Sequence, residues 1–313
     1  MKTTFWKSCA ILATIAAAAF AMLWQYHPAT VEDFLAENRY PLLDPARNIV
    51  AQGDFIINLT PLREELRDLV GERTASSTTL YFEFLNTGGN ISVNNHLSMR
   101  AASLPKLPLA MAVAKKVEKG EWTYDSTLVL SEDARDDGSG ELYEEPMGTA
   151  FTIEKLLEEM LVHSDNTSYH ILLDNIADAD LLAIEAEIGI EQLGDSEGKT
   201  TAKEYSRLYR ALYTSSFLTR ESSSKILGWL LETDFDKYLA SGLPRGTPFA
   251  NKWGRNADDH VYHDSGIVYI PSRPYILTVM VQGDGSFGEE ALAQDLMHDI
   301  SERVYSYISS YEK

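Results

Sequence analysis

Apolar residues recur at helical spacing at Leu62, Leu66, Leu69 and Val70, behind Thr60 as a cap and Pro61 as a first helical position. The pattern then changes to strand formers, Thr-Leu-Tyr-Phe-Glu-Phe-Leu over 79–85. Asn86-Thr87-Gly88-Gly89-Asn90 is a turn, and 91–99 reads as the return strand of a hairpin. From Leu104 to Lys119 the spacing is helical again, with Gly120 as its stop. Pro105 fits a first turn, whereas Pro108 is expected to kink or loosen that end. Residues 121–150 read as irregular, with a loop at Asp136-Asp137-Gly138-Ser139-Gly140. Thr152 caps a helix whose buried face is Ile153, Leu156, Leu157, Met160 and Leu161 and which stops at His163. Further helices are expected over 167–176, 180–188, 202–213 and 222–232. Beyond Pro244 the strand pattern returns at 249–253, 266–270 and 275–281, and a long amphipathic helix closes the chain over 289–311.

Sheet, helices, sheet, helix is the layout of an α/β domain with a helical insertion, its sheet closed by both chain ends. The expected boundaries are 59–125 together with 245–313 for the α/β domain and 126–244 for the helical domain, with a linker over 29–58. The first 28 residues read as a signal peptide or an N-terminal membrane anchor. Lys2 and Lys7 precede an uncharged run from Cys9 to Trp24, about the length of a secretory apolar core and short for a membrane span. Ala19-Phe20-Ala21 offers a cleavage site, but the apolar run continues past it, which favours an uncleaved anchor. Either way the remainder is expected to be exported. It would sit at the outer face of the cytoplasmic membrane, or be periplasmic or secreted if cleaved, and touch the membrane through this segment only.

A chain of 313 residues with 44% hydrophobic and 24% charged content has the composition of a folded globular protein. The net charge of −20 argues against a nucleic-acid partner, since no basic stripe is present to neutralise phosphates. Cys9 is the only cysteine and lies in the apolar run, so the exported part has no disulfide, thiol nucleophile or cysteine metal site. His260 and His263, with Asp258, Asp259 and Asp264, could hold a cation, but a polar loop before a strand is the simpler reading. Neither metal nor cofactor is expected, and the oligomeric state is not legible.

The candidate chemistry begins at Ser103-Leu104-Pro105-Lys106. A serine three residues before a lysine is a weak signal, and a second copy stands at Ser222-Ser223-Ser224-Lys225. The first copy follows a strand pattern and opens a long helix. Downstream come Ser164-Asp165-Asn166 and then Lys252-Trp253-Gly254. A serine hydroxyl needs a base to take its proton, and a lysine at i+3 lies within reach if burial or neighbouring cations lower its pKa. Ser103 at a helix start can aim its own N–H at a developing oxyanion. A second N–H would come from an edge strand over Lys252 to Arg255, which includes Gly254. Lys252 would hold a carboxylate and depress the pKa of Lys106. Ser164 would pass a proton to the leaving nitrogen, and the Asn166 side chain would hold the substrate amide.

Ser-x-x-Lys, Ser-Asp-Asn and Lys-x-Gly in this order resemble the serine β-lactamases and penicillin-binding proteins. The resemblance runs from about Leu59 to the C-terminus, and Ala102 to Lys106, His163 to Thr167, Thr200-Thr201-Ala202 and the paired closing strands are similar to class A β-lactamases and their relatives. It implies an antiparallel sheet flanked by helices plus an inserted all-helical domain. It also implies Ser103 as acylated nucleophile, Lys106 as base, Ser164 as proton relay, Asn166 as substrate ligand and Lys252 as carboxylate-side cation. The substrate would be a β-lactam or a related cell-wall peptide amide.

Two departures alter that expectation. Trp253 stands where the family has a threonine or serine that gives a hydroxyl to the substrate carboxylate; Arg255 is the candidate replacement. The Glu-x-x-Leu-Asn of class A enzymes, whose glutamate activates the deacylating water, has no match between Gly189 and Thr200, where the nearest pieces are Glu191-Gln192-Leu193 and Glu197. An acyl-enzyme would then form and be released slowly. The alternative is a non-catalytic or weakly catalytic cell-envelope binding protein that keeps the fold. Retention of Ser103, Lys106, Ser164 and Lys252 together favours an enzyme.

Overall fold

A computed structural model of the chain describes residues 42–43, 57–72, 77–190 and 198–310. The N-terminal segment expected to direct export, and the stretch 191–197, lie outside the described residues.

Five antiparallel strands form the main sheet: β1 (Ser77–Phe84), β2 (Gly89–Val93), β7 (Phe249–Asn256), β8 (Val261–Val268) and β9 (Tyr275–Gln282). Their order is β2-β1-β9-β8-β7, so the strand nearest the C-terminus lies at the centre and β7 lies at an edge. Central β9 is buried on both faces except at its last residue, which is why Tyr-Ile-Leu-Thr-Val-Met-Val reads as a continuous apolar run. Two helices from opposite ends of the chain cover one face. They are α1 (Thr60–Glu72), through Leu62, Leu66 and Val70, and α8 (Glu289–Ser310), through Leu296, Met297, Ile300, Val304 and Ile308. Each fully buried leucine in that layer contributes about 2 kcal/mol.

The other face meets α6 (Ala202–Thr214), whose Thr201 cap accepts from Glu204 N. Behind it lie α2 (Lys106–Glu118), α3 (Ile153–Val162), α4 (Asn166–Leu173), α5 (Asp178–Ile188) and α7 (Arg220–Leu231). α2 is their core: Lys106 to Ala114 are all buried, so its apolar residues do not form a stripe but surround the axis. The protein is thus an antiparallel sheet flanked by helices with a helical layer inserted in the chain between β2 and β7. Two residues of the stretch read as linker, Leu42 and Leu43, are buried, and Tyr269 donates to the Leu42 carbonyl.

Three local expectations are corrected. The return strand over 91–99 is two strands: β2 ends at Val93, Asn94 turns the chain with φ 52°, and β3 (Ser98–Arg100) pairs instead with β6 (Lys199–Thr201). Pro108 does not interrupt α2, because the helix starts at Lys106 and places Pro108 in the first turn, where no intrahelical N–H bond is lost. Residues 121–150 are not wholly irregular, since β4 (Thr127–Val129) pairs with β5 (Ala150–Thr152).

Candidate active site

The ends of several elements converge beside the edge of the sheet. β3 stops at Arg100, and Ala102 turns the backbone through a left-handed φ of 49°. Ser103 follows, half-buried, in the turn ahead of α2. Lys106, the first residue of α2, is 3% exposed. One helical turn separates the two, and Lys106 Nζ lies 3.2 Å from Ser103 Oγ.

The second piece joins α3 to α4. Ser164 is held at φ 57°, a left-handed conformation that costs a non-glycine residue about 1–2 kcal/mol. Asp165 offsets that strain by capping α4: its Oδ1 accepts from Ser168 N at 2.6 Å and its Oδ2 from Leu142 N at 3.0 Å. Both carboxylate oxygens are used, and the side chain is fully buried. The turn therefore presents Ser164 and Asn166 to Lys106, whose Nζ lies 3.1 Å from Ser164 Oγ and 2.6 Å from Asn166 Oδ1 and also donates to the Ser164 carbonyl.

Four oxygens around one amine define what Lys106 can do. The Ser164 carbonyl and Asn166 Oδ1 only accept, so they take two N–H bonds in either protonation state. The two hydroxyls, Ser103 Oγ and Ser164 Oγ, can also donate. A neutral Lys106 keeps both fixed bonds and has a lone pair left for one hydroxyl proton. Burial lowers its pKa to about 8, against the opposing pull of the Asp165 and Asp136 carboxylates. That is the property a lysine base requires near neutral pH.

The third piece is β7, which runs past Ser103 as the edge strand. A Cβ at Gly254 would lie 3.2 Å from the Ala101 carbonyl oxygen and 3.3 Å from Ser103 N, so this close approach tolerates little beyond glycine. Lys252, two residues earlier on the same face of β7, is wholly buried. Burial and the charge of Lys106 push its pKa well down, with Asp264 pulling the other way. The charge of Lys106 thus acts on Lys252, whereas burial lowers Lys106 itself, so the expected depression of Lys106 by Lys252 is not what lowers it. Lys252 Nζ lies 3.3 Å from the Trp253 carbonyl oxygen.

The structure thus brings Ser103, Lys106, Ser164 and Asn166 into one hydrogen-bonded cluster, with Gly254 and Lys252 on the strand beside it. It does not bring Arg255 there: that guanidinium holds Glu290 through Nε at 2.9 Å and Nη2 at 3.0 Å. The second Ser-x-x-Lys lies in α7, where Lys225 pairs with Glu154 and sits over the Tyr124 and Trp229 rings, and Ser222 is buried with its hydroxyl accepting from Thr219 Oγ1. The two histidines weighed as a cation site part company. His260 Nδ1 lies 2.6 Å from Glu289 Oε1. His263 is not in a loop but inside β8, fully buried, with Nε2 2.7 Å from the Arg100 carbonyl just ahead of Ser103. Among the described residues no group of three His, Cys, Asp or Glu could hold a metal.

Two carboxylates were given no place at the active site by the sequence reading. Asp264, opposite Trp253 in the ladder, accepts from Asn251 Nδ2 at 2.9 Å and from Leu239 N at 3.2 Å, and burial pushes its pKa up to about 7. Asp136 accepts from Asn166 Nδ2 at 2.9 Å. Asp264 was read as part of a polar loop, because the strand was expected to start at Gly266 and not at Val261. Asp136 had no signal, being one acid in a loop of several.

Comparison with known proteins places this geometry. The family model described as the beta-lactamase enzyme family matches residues 61–308. The chain belongs to that family. This beta-lactamase family member is 21% identical over 248 residues to beta-lactamase VEB-1 of Pseudomonas aeruginosa, covering 71% of this chain and 82% of that protein. Among solved structures it is similar to PBP-A, with a TM-score of 0.73 at 25% identity over 81% of this chain and 97% of that one. It is also similar to a beta-lactamase from Sphaerobacter thermophilus, with a TM-score of 0.72 at 20% identity over 82% of this chain and all of the other.

Trp253, read from the resemblance as a departure, has a visible consequence. Its ring stacks on Phe235 at 4.1 Å and 12°, and Phe235 meets Tyr238 edge-on. Lys252 Nζ lies 5.2 Å from the Trp253 ring. An aromatic wall therefore stands where the resemblance calls for a hydroxyl, beside a lysine that is already covered.

Proposed function

We propose that this protein is an exported active-site-serine hydrolase that forms an acyl-enzyme with a β-lactam or a related cell-wall peptide amide. The observation that carries the reading is the position of Lys106 Nζ, within hydrogen-bond reach of both Ser103 Oγ and Ser164 Oγ while two pure acceptors hold it in place. In the forward step the neutral Lys106 amine takes the Ser103 proton as Oγ attacks the amide carbonyl carbon. The oxyanion is received by the Ser103 N–H and by an N–H of β7. Ser164 then passes its proton to the leaving nitrogen and is reprotonated from the Lys106 ammonium, so the C–N bond breaks and an ester to Ser103 remains. Asn166 Nδ2 holds the amide carbonyl of the acyl side. Because the sequence lacks Glu-x-x-Leu-Asn between Gly189 and Thr200, hydrolysis of that ester is slow. One solved relative in fold, a PBP-A mutant, was captured as an acyl-enzyme with penicillin G.

The test is intact mass over time of the full chain mixed with penicillin G, beside Ser103→Ala. The expected result is an adduct of the drug's mass that persists and is absent from the variant. An adduct that disappears with drug consumed would mean efficient deacylation. No adduct in the wild-type protein, with the fold intact, would favour the binding-protein alternative.

Trp253 makes a separate prediction. Trp253→Thr is expected to speed acylation by penicillin G about tenfold, the worth of one hydrogen bond to a charged group. The methyl ester of the same drug, which has no carboxylate to bind, gains nothing. Equal gains for acid and ester would mean that Trp253 acts by bulk alone.

A further inference from the structure

The mechanism above makes no use of Asp136, yet this residue is bolted to the site from two sides. Its backbone N–H donates to Thr167 Oγ1 at 3.0 Å, and the same hydroxyl donates back to the Asp136 carbonyl at 3.1 Å. Thr167 is fully buried in the first turn of α4, directly after Asn166. The carboxylate is equally well tied. Oδ1 accepts from Gly138 N at 2.8 Å and from Asn166 Nδ2 at 2.9 Å, and Oδ2 lies 3.2 Å from His170 Nε2. Partial burial opposes its charge, but the hydrogen bonds from Asn166, Gly138 and His170 prevail and hold the carboxyl below its ordinary range.

An ionised carboxylate only accepts, so Asn166 must present its NH2 group to Asp136. The amide oxygen is thereby turned to the opposite side, where Lys106 Nζ lies 2.6 Å away. A protonated Lys106 would enforce the same orientation, because an ammonium only donates. A neutral Lys106 would not. Its lone pair can accept from an amide NH2, and a flipped Asn166 would then occupy the electron pair that must take the Ser103 proton. The constraint from Lys106 lapses at the moment the reaction needs it, and Asp136 is the group that still supplies it.

We propose that Asp136 is a positioning residue that locks the Asn166 amide, keeping its oxygen on Lys106 and its second Nδ2 proton free for the acyl-side carbonyl of the substrate. This rests on the acyl-enzyme reading above. The titratable groups that face Lys106 are Asp165 from the α3–α4 turn, Asp136 from the β4–β5 loop and Lys252 from β7, and of these the two carboxylates raise its pKa. Removing the Asp136 charge removes a stabiliser of the ammonium, so the base form appears at lower pH.

The experiment measures acylation by penicillin G against drug concentration and pH in the full chain, for wild type, Asp136→Ala and Asp136→Asn, with rates normalised to folded protein. Asp136→Ala is expected to lose about a hundredfold in the acylation step, the scale of a misplaced reacting group. Asp136→Asn, which can still accept from Asn166, recovers part of that loss, and its acid limb moves to lower pH. A merely structural role would reduce the folded fraction and leave the rate per folded molecule, compared on the plateau above the acid limb, unchanged, which overturns the proposal. A readout free of activity separates this from failure of the acyl-enzyme reading. In wild type the Asn166 side-chain NH2 signal, assigned with Asn166→Asp, shows one proton protected from solvent exchange. That protection is lost in Asp136→Ala; its persistence there overturns the proposal whether or not penicillin reacts.

Discussion

Lys106→Met is expected to slow acylation of Ser103 by roughly a thousandfold, the range associated with a positioned general base. The wild-type rate should carry an acid limb near pH 8, because burial lowers the Lys106 pKa to about 8 and only the neutral amine can take a proton. Below that pH the ammonium dominates and the rate falls tenfold per unit; above it the rate levels off. The sign follows from the cause: burial penalises the charged form of a lysine, so the folded chain releases this proton well below the ordinary lysine range. Intact-mass kinetics between pH 6 and 10 read both effects. A variant that reacts within tenfold of wild type, or a limb lying near the ordinary lysine value, would move the base elsewhere, with Lys252 the next amine on β7. Methionine matches the length of the buried stem, so the loss is not a cavity effect.

How much of this was legible depends on whether the relation was local. Ser103 and Lys106 are one helical turn apart, and Ser164 to Asn166 are a single turn between helices, so each piece was visible locally, and the resemblance of their order to the serine β-lactamase motifs set them apart from the copy at Ser222 to Lys225. The Thr152 and Thr201 caps were legible for the same reason, and both accept the expected backbone N–H. Long-range relations were not. Nothing in 91–99 says that Ser98 to Arg100 will leave the hairpin and pair with Lys199 to Thr201 across a hundred residues of chain. The Asp136–Asn166 bond spans thirty residues and starts in a loop whose sequence fits any polar turn. Arg255 was placed by its nearness in sequence to the third motif, but its guanidinium is taken by Glu290 of α8, thirty-five residues further along the chain. His263 was misread because β8 begins at Val261 and its polar residues, His263, Asp264 and Ser265, are all buried. A strand that hides hydrogen-bonded polar groups has no hydrophobic signature to read.

The same dependence on close packing makes Gly140→Ala a damaging small change outside the reacting groups. Gly140 has φ +86°, where an L-residue is strained, and a Cβ there would lie 2.0 Å from Asp165 Oδ2 and 2.4 Å from its Cβ and Cγ. Asp165 has nowhere to go: it is fully buried and both its oxygens hold backbone N–H groups. The clash can be relieved only by moving the turn that keeps Ser164 in its left-handed conformation beside Lys106. Overpacking and backbone strain together are expected to cost about 3–5 kcal/mol in urea denaturation. Acylation per folded molecule should fall with it, since the relay hydroxyl shifts. Gly120→Ala is the control. Gly120 has φ +72° but no atom within 4 Å of an added Cβ, so it carries the backbone strain without the clash and should cost about 1 kcal/mol. Equal losses at the two sites would mean that Asp165 can give way without disturbing the fold. A large loss at Gly140 alone, with acylation falling in step, would tie the geometry of the reacting cluster to a single contact between a loop glycine and a buried carboxylate.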